Sequence, residues 1–449
     1  MVEGVVDRSV DQYPLARTNA DFGGRGLRIC LGTLLAALAG LVFLDLWTHP
    51  DRYQNDLQAY YFAGMASREG LDPYDLGVLS QLAHTPVRHG FVYPPITLPF
   101  FRALGELPYA ALYRGFLLAK VALLGGLICL WLRVFVKRQT GGFLLFAATA
   151  FNAAVYVDLR VGNIAVFEQA LIWTGFYFLL KKKPALFTLF ILVASSFKIT
   201  PILLLGLLFL SSDKRRYGYL GLGIALFLAL HFSAYLVSPP LTRAFITASG
   251  ALHDRGVVNP STAALIQDAS AIIARYVVGP IPSVGLTLTY LCISLAVIVM
   301  TLKAVGMLTD TQAGQKELQA ILIACLGYGL VIPRFKTYSY MLVLVPCYYI
   351  LMEAGRRLSA SHGANRLLLY APLAGVTVVS SAYAAVYGST LAEGVVLGYA
   401  PLAALFVAWV IFLNGIGLSR PGWLLTQGME GGRAVGLRPA EVRPQAVRG

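Results

Sequence analysis

From Ser283 to Leu302 the chain reads SVGLTLTYLCISLAVIVMTL, a stretch without a single charged residue. Runs of about 18 or more apolar residues mark membrane-spanning helices, because hydrocarbon offers no partner to a backbone that is not already helical or closed into a barrel. Several other stretches share this character, so lipid is the main solvent of the chain. Composition agrees: 13% of the 449 residues are charged, 57% are hydrophobic and the mean hydropathy is +0.68. A soluble domain carries about a quarter charged residues. Length alone would suggest three soluble domains; the apolar runs point instead to one polytopic helical unit.

Periodicity and glycine and proline punctuation predict an all-α membrane protein of about twelve segments, near 28–47, 108–136, 141–157, 162–180, 185–197, 200–211, 217–237, 284–306, 317–332, 337–354, 366–388 and 392–416. Residues 1–27 read as a cytoplasmic leader, 28–416 as the membrane domain with long outer loops at 48–107 and 238–283, and 417–449 as a basic cytoplasmic tail. The first apolar stretch lacks the short core and small-residue cleavage site of a signal peptide, so it reads as an uncleaved span. Lys137-Arg138, Lys181-Lys182-Lys183, Lys214-Arg215-Arg216, Arg356-Arg357 and the arginines of the tail fall on one side, which the positive-inside bias makes cytoplasmic. The expected location is the cytoplasmic (inner) membrane, multi-pass, with both long loops on the periplasmic or extracellular face.

The net charge of +14 is largely this orientation signal plus attraction to anionic lipid heads, about 1 kcal/mol per basic residue near the surface. No nucleic-acid motif, P-loop or dinucleotide fingerprint accompanies it. Cys30, Cys129, Cys292, Cys325 and Cys347 fall in apolar segments with no CxxC pair and no histidines at metal spacing, which makes them small packing residues. Asp51, Asp56, Glu69, Asp72, Asp75, Glu106 and Asp254 are scattered along the outer loops. No cofactor is expected, although oxygen ligands for a divalent metal can converge from distant loops.

One face collects Asp56, Tyr93, Arg160, Asn259, Arg334 and Lys336, with Lys198 close by. In NDLQAYYFAGMASREGLDPYD, Asn55 is a good N-cap and Gln58 completes a capping box, while Gly70 and Pro73 stop the helix; the pattern predicts a short surface helix over 56–69. Asp56 then sits where the helix dipole favours a carboxylate by ~0.3–1 kcal/mol, with Tyr60 one turn along the same face. Complementing the dipole is the plain role for Asp56. The sharper role is a general base taking a proton from an attacking hydroxyl. VYPPI at 92–96 is foremost architecture, since its two prolines interrupt any helix; Tyr93 remains available to a substrate.

The basic residues on that face suit a phosphate. Arg334 offers a planar fork, Lys336 and Lys198 compact positive charge, and Arg160 a further cation. Their plain role is anchoring helix ends at the interface by snorkelling. Lys198 lies in SSFKITP, between two segments too short to cross comfortably, which favours function there. Lys120 and Glu168 are costly facing lipid, so they are expected inside the bundle, paired with each other or with Lys120 approaching a phosphate. His231 reads as a packing residue and His253 as a solvated loop residue.

The order NDLQAYY, GLDPYD, FVYPP, RVGNIAVFEQALIW, SSFKITPILLL, VVNPSTAALIQ and VIPRFKTYSYMLVLVP resembles glycosyltransferase family 87, over about residues 28–416. The resemblance implies a GT-C-type bundle and inverting transfer of a mannose- or arabinofuranose-class sugar from polyprenyl phosphate to a glycan or glycolipid hydroxyl. It implies that Asp56 acts on that hydroxyl, that Arg334, Lys336, Lys198 and Arg160 hold the donor phosphate, and that Tyr60, Tyr93, Asn163, Asn259 and Tyr338 line the substrates. Three places depart from the family's usual pattern. Asn55 precedes Asp56 where two acids are often paired, Gly162-Asn163 stands for a Gly-Gln turn, and Pro333-Arg334-Phe335-Lys336 with Tyr338 and Tyr340 stands where histidine is frequent. Two other classes suit the same features: a lipid-linked glycan transporter or flippase, and a polysaccharide polymerase or ligase using a diphosphate-linked donor. A transporter more often carries repeated halves with broken midplane helices, and no repeat is visible.

Overall fold

A computed structural model describes residues 25–50, 52–136, 140–210, 213–251, 254–275, 281–308, 315–362, 366–381 and 397–418. The leader to residue 24, Asp51, His253, the stretch 382–396 and the tail from 419 lie outside the described residues. Of the described residues 84% are helical and none lies in a strand. In chain order the helices are α1 (Arg25–Thr48), α2 (Asn55–Arg68), α3 (Leu76–Ala83), α4 (Leu98–Leu104), α5 (Tyr109–Leu130), α6 (Thr140–Val161), α7 (Ala165–Leu180), α8 (Pro184–Phe197), α9 (Arg216–Val237), α10 (Pro239–Gly250), α11 (Thr262–Ile273), α12 (Ser283–Met307), α13 (Gln315–Val331), α14 (Leu344–Ser361), α15 (Arg366–Ser380) and α16 (Ala400–Leu418).

Among the described residues four helices are long and apolar enough to cross a membrane by length and composition: α5 with its extension to Val136, α6, α9 and α12. Apolar stretches of 10–17 residues accompany them, among them Gly32–Thr48 within α1 and Ala400–Gly415 within α16, and the structure supports a helical membrane protein without fixing the count of about twelve spans. Only 6% of the apolar window of α9 and 11% of that of α12 is buried, against 50% for α6. The first two are therefore peripheral and the third is central. Lipid tails are as apolar as leucine, so close packing must hold such a bundle together. Gly64 of α2 lies so near α4 that a Cβ there would sit 2.1 Å from the Phe101 carbonyl oxygen.

α6 departs from the single segment expected over 141–157. Ala150 is extended and Phe151, Asn152 and Ala153 follow with φ of 55°, 56° and 54°, so two helical pieces meet at a break. Left-handed backbone costs an L-residue about 1–2 kcal/mol, and no glycine or proline marks the place. The end of α15 supports it: the Phe151 N–H donates to Ser380 Oγ at 2.9 Å, and Ser381 Oγ donates to the Thr149 carbonyl at 2.5 Å. Broken backbone at membrane depth is tolerated where protein buries it.

Candidate active site

α2 starts one residue earlier than the capping-box pattern suggests. Asn55 is its first helical residue, and Gln54 precedes it in a left-handed conformation, φ 58°, with no side-chain cap. The turn between α6 and α7 holds that conformation in place. The Gln54 N–H donates to the Arg160 carbonyl at 2.7 Å. Gly162, itself at φ +74°, passes so close that a Cβ would lie 2.7 Å from Gln54 Cβ. Only glycine meets both demands. The start of α2 and the residue after Gly162 are thereby brought face to face.

That residue is Asn163, 3% exposed. Its Nδ2 donates to Asp56 Oδ2 at 2.7 Å and to the Tyr60 hydroxyl at 3.0 Å, with the Tyr93 hydroxyl at 3.3 Å. The Tyr60 and Tyr93 hydroxyls are 2.8 Å apart, and their rings meet edge to face at 5.1 Å. The Asp56 carboxylate only accepts, so it favours the amide nitrogen at this position, while the two hydroxyls can serve either end of the amide. Burial pushes the Tyr60 and Tyr93 hydroxyls well above their ordinary values, with Tyr93 and Asp56 adding to the rise at Tyr60 and Asp56 adding to it at Tyr93. Both are neutral hydroxyls at working pH. Asp56, Tyr60, Tyr93 and Asn163, all expected from the sequence, thus form one hydrogen-bonded group.

Beneath this group lies a fully buried ion pair. Lys120 Nζ is 2.8 Å from Asp158 Oδ2, and neither side chain has any exposure. The same ammonium donates to the carbonyls of Asp158 at 2.7 Å and Asn163 at 2.5 Å. The expected Lys120–Glu168 pair is corrected here: Glu168 is bound by Lys198 at 2.5 Å. Asp158, one residue before Leu159 in an otherwise apolar run, is the partner that sequence reasoning passed over. A lone acid opposite a lone lysine in apolar helices was the available signal, since each must find a counter-ion.

The late motif adds a third cluster. Arg334 Nη2 donates to Asp254 Oδ2, and Lys336 Nζ lies 3.0 Å from the same oxygen. Burial alone would raise the Asp254 carboxyl, but the Lys336 and Arg334 charges and hydrogen bonds outweigh it and hold it below its ordinary value. Asn259 Nδ2 donates to the Asp254 carbonyl at 3.1 Å. Around them Ser261 Oγ donates to the Pro333 carbonyl at 2.7 Å, Thr337 Oγ1 to Val257 at 2.5 Å, and the Tyr340 hydroxyl to Pro260 at 2.6 Å. Tyr338 joins the clusters: the Lys198 ammonium lies 5.3 Å from its ring centroid, and Asp56, Tyr93 and Arg334 are all within electrostatic range.

Among the described residues the Arg160 side chain joins none of these clusters. It is exposed, with the guanidinium 5.9 Å from the Tyr53 ring centroid, and Arg160 serves α2 through its carbonyl. Asp254, noted only as a scattered loop acid, proves to be the shared partner of two expected cations. Among the described residues no three His, Cys, Asp or Glu side chains gather as metal ligands. The acids therefore differ in one respect. Asp158, Glu168 and Asp254 each carry a cation, whereas among the described residues none is paired with Asp56.

The sequence model of glycosyltransferase family 87 matches residues 91–333, more than half of the chain. The chain belongs to glycosyltransferase family 87. No curated protein and no solved structure matches it. The family 87 match contains Tyr93, Lys120, Asp158, Asn163, Lys198, Asp254 and Asn259, but begins after Asp56 and Tyr60 and ends one residue before Arg334. Contacts connect these outlying residues to the matched region, through Asn163 on one side and Asp254 on the other. Membership makes this membrane protein a glycosyltransferase.

Proposed function

We propose that the protein transfers a sugar of the mannose or arabinofuranose class, with inversion, from a polyprenyl-phosphate donor to a hydroxyl of a glycan or glycolipid. The site faces the outer side of the cytoplasmic membrane, in keeping with the basic cytoplasmic loops. The observation that carries the reading is the carboxylate of Asp56, half-buried, aimed by the Asn163 amide and unpaired with any cation among the described residues, while Asp158, Glu168 and Asp254 are each paired with one. Such a group is free to accept a proton.

The acceptor oxygen attacks the anomeric carbon from the side opposite the phosphate. Its proton passes to Asp56, the bond from that carbon to the phosphate oxygen breaks, and the electron pair leaves on the phosphate. Arg334 and Lys336 stabilise the charge that grows there, more in the transition state than in the ground state. Lys198, above the Tyr338 ring, extends the positive wall, and Asn259 and Tyr338 line the sugar. The prenyl chain of the donor lies in the bilayer, beside the helices.

The test is transfer from labelled short-chain polyprenyl-phosphate mannose or arabinofuranose by purified protein in lipid nanodiscs. Asp56→Asn should lower kcat about 10²–10⁴-fold, the usual worth of a positioned base, with donor binding retained. Full transfer by a folded Asp56→Asn protein rules out the base. Transfer from diphosphate-linked sugars only would replace the donor.

A further inference from the structure

We propose that Asp254 tunes the charge of donor that the site accepts, weakening the hold of Arg334 and Lys336 on a diphosphate more than on a phosphodiester with one negative charge. The inference rests on the donor-phosphate role given above to Arg334 and Lys336. Both cations converge on one oxygen of Asp254, so the cluster carries two positive charges and one negative, a net of +1. A sugar linked to polyprenyl phosphate is a phosphodiester of charge −1, which this net charge matches. A diphosphate-linked sugar carries −2, and the released polyprenyl phosphate, a monoester, carries about −1.5 to −2. Both suffer more from the fixed carboxylate.

Two features make Asp254 a fixed charge. Its two cations keep it ionised through the working range. The Ser261, Thr337 and Tyr340 hydrogen bonds lace the stretch after Asp254 to the stretch carrying Arg334 and Lys336, so acid and cations are held in one frame. The clasp is also incompletely satisfied: Arg334 Nε is buried without a partner, leaving a donor of the guanidinium fork unused while Asp254 occupies Nη2. The three side chains keep 31%, 16% and 25% exposure for Arg334, Lys336 and Asp254, so a ligand can reach them. Asp254 thus acts as a third, negative wall, which also discourages retention of the doubly charged product.

The experiment measures inhibition of transfer, and direct binding, by short-chain polyprenyl phosphate and polyprenyl diphosphate, alongside KM for the phosphodiester donor. Wild type, Asp254→Asn and Asp254→Glu are compared in nanodiscs, with thermal unfolding verifying the fold. In Asp254→Asn the diphosphate and the monoester should bind about tenfold more tightly relative to the phosphodiester, since removing one nearby charge weighs most on the more charged ligand. Product release should slow, lowering kcat. Asp254→Glu should restore the wild-type ratio. An unchanged ratio in folded Asp254→Asn, with wild-type donor binding intact, overturns the role of Asp254 alone. Failure of wild type to bind any of the three lipids overturns the donor reading and this inference with it.

Discussion

Asn163 donates from Nδ2 to the Asp56 carboxylate at 2.7 Å, while its backbone carbonyl accepts a hydrogen bond from Lys120 at 2.5 Å. One residue therefore joins a buried cation to the candidate base without placing that cation on the base itself. A lysine directly on Asp56 would hold the carboxylate ionised but make it a poor proton acceptor. An amide donor orients it at smaller cost to basicity.

Replacing that amide separates orientation from charge. Asn163→Ala should lower kcat by about 10–10²-fold with little change in donor KM, because a misaimed base loses part of the effect of positioning. Asn163→Asp puts a second carboxylate against Asp56. Like charges raise proton affinity, so the acid limb of the pH–rate profile should move to higher pH. Steady-state kinetics across pH checks both outcomes.

The Lys120–Asp158 pair has no exposure at either member. Lys120→Met leaves a buried carboxylate unpaired and should cost about 3–5 kcal/mol of stability, whereas an apolar replacement of both partners is often close to neutral. Thermal unfolding of Lys120→Met and of Lys120→Met/Asp158→Leu in detergent tests this. The double variant should be the more stable of the two, and its transfer activity reads what the ion pair contributes to aiming Asn163.

Gly162→Ala asks one position for a left-handed backbone, about 1–2 kcal/mol dearer for alanine, and for room that Gln54 occupies. The turn must shift, moving Asn163 relative to Asp56. Activity should fall further than thermal stability does, measured on the same preparation.

Asp254 supplies a pH dependence with a definite sign. Its carboxyl is held below its ordinary value in the folded protein, so the clasp contributes stability above the unfolded carboxylate pKa of about 3.9. That contribution is lost as pH falls through the lower folded value. Wild type and Asp254→Asn should differ in thermal stability at neutral pH and converge below about pH 4.

The sequence pattern located most helices within a few residues, including the short helix at 55–68, since apolar period and stop residues are local properties. It missed the break at Ala150–Ala153, where the decisive partner, Ser380, lies 229 positions away. It also misread the cap of α2, because Asn55 is a favourable cap in isolation. The left-handed Gln54 depends on Gly162 and Arg160, which the local pattern does not contain.

Alone, then, the sequence determined the solvent, the helical class, the family resemblance and the roster of polar residues from which a site is drawn. Long uncharged runs and basic turns carry that information residue by residue, and lipid reads them directly. Tertiary structure decided which acid meets which base: Asp158 with Lys120, Glu168 with Lys198, Asp254 with Arg334 and Lys336, and Asp56 left with an amide. Desolvation obliges each buried charge to find a partner, but which one it finds depends on contacts across 38, 30, 80 and 107 positions of chain, which no local period encodes.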